Sequence, residues 1–244
     1  MVILNHLLTV AVQAAPAIVL GLLLWLSSAS RDVRLGWIGV AAGLILLHDV
    51  AVTSLWAYVP QPASWGQWNW TGVLLALAAT LTIASLRQFG LERVGFRVFQ
   101  DEGSGMAWLA AGIALVGLLG ILLIVGGNGY QGTDTLVFQT VLVPAQEEFF
   151  YRGILFFALD RAFLERRTHY GAELGPAVLL TAVYFACCHA ISRTEGGTGF
   201  DIQPPLFGAM LAAGLFLGWL RARTGSLLAP TLTRAVGNAM LAVL

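Results

Sequence analysis

Eight apolar runs, each of about 20 residues, restrict what this chain of 244 residues can fold into. They cover residues 3–26, 35–59, 70–86, 106–125, 135–159, 176–191, 205–219 and 226–243. Hydrophobic residues make up 58% of the chain, charged residues 11%, and the mean hydropathy is +0.79, which leaves too little polar surface for a water-soluble domain. The expected fold is all-α: a polytopic membrane helical bundle of about eight transmembrane helices. No soluble domain, low-complexity segment or repeat interrupts it, so residues 1–244 read as a single integral membrane domain. Ser27-Ser28-Ala29-Ser30 resembles a signal-peptide cleavage region, but the run before it lacks a basic start and is too long, so it is expected to stay as a helix.

Charge gives the bundle a direction. All 13 basic residues are arginines, none is clustered and the net charge is zero, which argues against a nucleic-acid partner. Arg31 and Arg34 fall in the first loop, Arg87, Arg93 and Arg97 in the third, Arg161, Arg166 and Arg167 in the fifth, and Arg221 and Arg223 in the seventh. Alternate loops hold only Arg193, and the one over residues 58–70 is rich in Pro and Trp, as at an interfacial aromatic belt. The arginine side is expected to be cytoplasmic, with both termini on the other side. The lysine-free, arginine- and alanine-rich composition points to a bacterial inner membrane. Cys187 and Cys188, adjacent in one apolar run, read as small apolar fillers.

The chemistry should lie where charge enters the apolar runs. Glu147, Glu148 and Arg152 sit within six residues of one another in the fifth run, where each ionised group costs roughly 2.5–3.5 kcal/mol at mid-bilayer. Glu148 and Arg152 are i,i+4 neighbours and can pair, whereas Glu147 projects about a third of a turn away. Glu147 is then the freer carboxylate, and without a neutralising partner it would hold a proton near neutral pH, as a general base and acid must. The plain structural alternative is an inert interhelical ion-pair network. Phe185 and His189 on the sixth helix, and Arg234 and Asn238 on the eighth, are further i,i+4 pairs. Counted from the arginine-side ends, Glu147, His189 and Asn238 all lie roughly 18–20 Å deep, so three helices bring polar groups to one level.

The Glu-Glu-x-x-x-Arg string, the Phe-x-x-x-His string and the polar i,i+4 pair on the last helix resemble the CPBP family of intramembrane endopeptidases. That family includes CAAX prenyl proteases and bacterial Abi-type, bacteriocin-processing and self-immunity proteins. The likeness covers residues 135–244, including Gly225-Ser226-Leu227-Leu228-Ala229-Pro230, and leaves 1–126 as accessory transmembrane helices. It implies peptide-bond hydrolysis within the membrane on a membrane-associated peptide or protein. Glu147 and His189 would activate water, Glu148 and Arg152 would hold the site, Asn238 would bind the oxyanion, and Phe185 would orient His189. Most members carry His where this chain has Arg234, and a guanidinium offers no lone pair to a metal. A zinc site would then rest on Glu147, Glu148 and His189 alone, so a metal-independent glutamate protease without a cofactor is favoured. An inactive relative acting as a binding or immunity protein is the main competitor. In a transporter, the remaining reading, His48 and Asp49 would form a proton path, yet no inverted repeat supports it. Asn5, His6 and Gln13, like His48 and Asp49, otherwise read as packing or lining residues, and the Gly214–Gly218 run as a close helix contact.

Overall fold

The computed structural model describes residues 2–27, 33–54, 58–59, 66, 68–126, 129–194 and 199–244, with side chains from Leu7 onward. Arg31, Ser28 to Ser30, most of the loop over 58–70 and the side chains of Asn5 and His6 lie outside the described residues.

Helices dominate. In chain order they are α1 (Val2–Ser27), α2 (Leu35–Asp49), α3 (Trp70–Ser85), α4 (Ser104–Val125), α5 (Thr133–Val137), α6 (Val143–Glu148), α7 (Phe156–Ala162), α8 (Pro176–Ala190), α9 (Pro204–Thr224) and α10 (Leu228–Val243). α2 runs on into a π-turn at Val50–Ser54, and π-turns at Phe138–Leu142 and Phe149–Leu155 join α5, α6 and α7 into one rod. Proline opens α6, α8 and α9, where a missing N–H costs nothing. The Asn69 side chain accepts from Gly72 N at 2.8 Å and caps α3. Gly225, at φ 64°, ends α9 in the left-handed region.

The reading of the fifth run as a plain helix is corrected: π-turns interrupt it twice. The seventh helix extends to Thr224, beyond the expected end at 219, where Arg221 is buried and bonds to Arg152 O and Arg223 bonds to Glu102 O at the surface. Two short antiparallel hairpins add strand to an otherwise helical molecule: β1 (Arg167–His169) with β2 (Ala172–Leu174), and β3 (Ile191–Arg193) with β4 (Phe200–Ile202). Three-residue strands carry too little alternation to be read from sequence.

α8 and α9 make the tightest contact. A Cβ added at Gly214 would come 3.0 Å from Ala182 Cα, and one at Gly218 would come 3.0 Å from Val178, so the two glycines let the backbones meet. The main core gathers Phe150, Tyr151, Ile154, Leu155, Phe157, Tyr184 and Phe185 with Ala14 of α1 and Leu44 of α2. The arginine-bearing loops meet at one end of the bundle. Arg34 N donates to Ala162 O at 2.9 Å, Arg97 Nε to Gly225 O at 2.9 Å, Arg223 Nη1 to Glu102 O at 2.8 Å and Arg221 Nη2 to Arg93 O at 3.3 Å. Among the described residues four helices are long and apolar enough to cross a membrane, over Leu7–Ser27, Leu35–Ser54, Ser104–Val125 and Pro204–Thr224, while Trp70–Ser85 and Pro176–Ala190 are apolar but shorter. These features define an integral membrane protein.

Candidate active site

Glu147 and Glu148 close α6, and the chain then widens into the π-turn Phe149–Leu155 that carries Arg152. A π-turn shifts hydrogen bonding from i−4 to i−5 and is common at functional sites. Here Arg152 O accepts from Arg221 Nε at 3.2 Å, so α9 holds the turn from outside.

The inner pair forms as the spacing anticipates. Arg152 Nη1 lies 3.3 Å from Glu148 Oε1, and both side chains have no solvent exposure. Arg152 Nη2 also donates to Gly214 O at 3.3 Å, a carbonyl brought within reach by the close α8–α9 contact. Arg234 of α10 reaches the same carboxylate, Nη1 to Glu148 Oε1 at 3.2 Å, and its Nη2 lies 2.5 Å from Glu147 Oε2. The guanidinium fork thus spans both glutamates. Phe185 carries both cations on its ring, with Arg152 Cζ at 4.5 Å and Arg234 Cζ at 4.8 Å from the centroid.

The expectation that Glu147 lacks a neutralising partner is therefore corrected. Arg234 lies on α10, with α7, α8 and α9 between it and Glu147 in sequence, and i,i+4 counting on one helix could not find it. Glu147 nevertheless stays open to chemistry. The Arg234 contact is an ion-pair approach without hydrogen-bond alignment, so Glu147 Oε2 has no hydrogen-bond partner. The Glu147 side chain as a whole is 17% exposed and that of His189 29%, against none for Glu148 and Arg152, while the Glu147 Oε2 atom itself is buried. His189 Nε2 stands 3.7 Å from Glu147 Oε2. His189 Nδ1 is 2.8 Å from Phe185 O, which can only accept, so in the neutral ring Nδ1 carries the proton and Nε2 offers its lone pair toward Glu147. Phe185 therefore orients His189 through its carbonyl as well as its ring, 4.3 Å away.

The structure brings together Glu147, Glu148, Arg152, His189 and Arg234. Asn238 lies one turn farther along α10, where its Nδ2 donates to Gln139 O at 2.8 Å, tying α10 to the π-turn Phe138–Leu142. Sequence reasoning placed His48 among packing residues, and the structure seats it on the glutamate-bearing rod: its ring stacks on Phe150 at 3.7 Å and touches the Gln146 amide. Gln13, read the same way, donates to Ile191 O at 2.8 Å and ties α1 to the strand that follows His189.

A metal fits this donor set poorly. Among the described residues no three His, Cys, Asp or Glu side chains gather as a metal site, and the Arg234 fork sits between the carboxylates that would have to supply most ligands.

The helical membrane fold thus holds a carboxylate and an imidazole facing each other inside it. Residues 131–240, a little under half of the chain, match the family model described as type II CAAX prenyl endopeptidase Rce1-like. The match takes in every residue of the site except His48 and leaves residues 1–130 outside it. No curated protein and no solved structure matches the chain.

Proposed function

We propose that this protein is an intramembrane endopeptidase that hydrolyses peptide bonds of membrane-associated peptides or proteins without a metal. The observation that carries the reading is the facing of Glu147 Oε2 and His189 Nε2 at 3.7 Å, on two partly exposed side chains, in a segment that matches the CAAX prenyl endopeptidase family model. Two acceptors at that spacing can both take hydrogen bonds from one water. As the water attacks the substrate carbonyl carbon, one O–H bond breaks and its proton passes to Glu147. The same proton is returned to the leaving nitrogen as the C–N bond breaks. Arg234 pairs with Glu147 at 2.5 Å, and its Nε, buried and without a hydrogen-bond partner, is a donor left open for the developing oxyanion. Glu148 and Arg152 hold Arg234 and the π-turn in register and touch no substrate. Asn238, whose Nδ2 donates to Gln139 O, would hold α10 against the glutamate-bearing rod. Residues 1–126 would serve as accessory helices around a core at 135–244, in a bundle of about eight membrane-crossing segments.

One observation favours a second reading, an inactive family member that works by binding. The Arg234 fork neutralises both glutamates at once, an arrangement that can also be purely structural. Cleavage of a membrane-peptide library by detergent-purified protein separates the two, using wild type, Glu147→Gln and Arg234→His, each with and without a strong chelator. The protease reading expects chelator-indifferent turnover in wild type, lost in Glu147→Gln. Silence in wild type with chelator-sensitive activity in Arg234→His would overturn it in favour of the binding reading.

A further inference from the structure

His48 lies on α2, outside the segment that matches the protease family, yet it touches the glutamate-bearing rod at two points. Its ring stacks on Phe150 with centroids 3.7 Å apart and planes 18° apart. Its Nε2 contacts Nε2 of Gln146, and with the amide N–H donating, the ring nitrogen is the acceptor. Gln146 and Phe150 are both buried, at 3% and 1% exposure. They are i,i+4 neighbours that flank Glu147 and Glu148 in the chain, and they straddle the junction where α6 ends and the π-turn Phe149–Leu155 begins.

That junction needs holding. A π-turn is rare in isolation and persists where tertiary contacts impose it. The direction in which Glu147 projects depends on where the widening starts, because one residue of shift turns a side chain by roughly 100°. On the far side Arg221 grips Arg152 O from α9, and on the near side His48 grips the residues on either side of the two glutamates.

We propose that His48 is a positioning residue of the active site, clamping the α-to-π junction through Gln146 and Phe150 so that Glu147 faces His189. The accessory helices thereby become part of the catalytic machinery. The claim rests on the protease reading only for its kinetic consequence. The charged and titratable groups around His48 are Glu147, which it reaches electrostatically, Tyr151, with ring centroids 5.9 Å away, and Asp49 beside it on α2.

Two variants of the full chain test the clamp. His48→Phe keeps an aromatic ring for Phe150 but removes the nitrogen that Gln146 meets, and His48→Gln returns a polar group to Gln146 without the ring. For a peptide the wild type cleaves, His48→Phe is expected to lower kcat by about 10- to 100-fold with KM changed less than about twofold, the signature of a misplaced catalytic group. His48→Gln is expected to recover most of that loss. Wild-type kcat in His48→Phe, or equal impairment in both variants, would overturn the proposal. Amide hydrogen exchange over residues 143–155 provides a readout that needs no turnover. Exchange there should rise in His48→Phe and stay at the wild-type level in α8 and α9. Unchanged exchange over 143–155 sinks the clamp even if the protein is no protease, whereas raised exchange in a protein that cleaves nothing sustains the clamp and removes only the protease reading.

Discussion

Glu148 has no exposure and accepts from two guanidiniums, Arg152 and Arg234, so it anchors the cluster while Glu147 stays within reach of a substrate. Breaking a buried ion pair by removing one partner typically costs about 3–5 kcal/mol, because the other charge is left uncompensated. Arg152→Met should accordingly lower thermal stability in detergent sharply, and Arg152→Met with Glu148→Gln should recover part of the loss. A melt of the double variant no better than the single would show that Arg234 alone neutralises Glu148. Glu147→Gln should behave differently, with turnover abolished and a melting temperature close to wild type, since Arg234 keeps its hydrogen bond to Glu148 when the Glu147 charge is removed. The Glu148–Arg152 pairing was legible from spacing alone. The Arg234 contact with Glu147 was not, because it joins residues 87 positions apart through tertiary packing.

At the scale of elements, small residues decide how closely helices approach. Gly214 and Gly218 face Ala182 and Val178 across α8 and α9, and the same approach delivers Gly214 O to Arg152. Gly214→Val should force the helices apart and lower both thermal stability and turnover. Gly112→Ala in α4, with nothing within 4 Å of the added Cβ, should leave both near wild type. Parallel melts and cleavage assays check the pair, and equal effects of the two would refute the packing argument. The helical runs were legible because an apolar stretch of this length has few other ways to satisfy its backbone. Their π-turns were invisible, because an i−5 bond is chosen by contacts such as Arg221 to Arg152 O and carries no compositional mark.

For the whole molecule, the arginine count proposes a sidedness that the structure makes testable. Loops expected on one side do meet at one end, through Arg34 N to Ala162 O and Arg97 Nε to Gly225 O. Tyr170, 90% exposed in the β1–β2 turn, and Tyr130, 60% exposed before α5, are suitable single-cysteine reporters in a background lacking Cys187 and Cys188. Tyr170→Cys should react with an impermeant maleimide from the cytoplasmic face only, and Tyr130→Cys from the opposite face only. Reversed labelling would invert the topology and leave the site geometry untouched.

Composition and apolar run length by themselves determined that this chain is a helical membrane protein, and local i,i+4 spacing determined which polar residues could share a face. Both follow from short-range physics, the cost of bare backbone in hydrocarbon and the pitch of a helix. Only the tertiary structure decided that Arg234 neutralises Glu147, that His189 turns Nε2 toward that carboxylate, and that His48 of α2 grips the rod beside it. Those contacts depend on how separate helices pack. A buried charge takes whichever partner the packing brings within reach, and no local pattern in the chain names that partner.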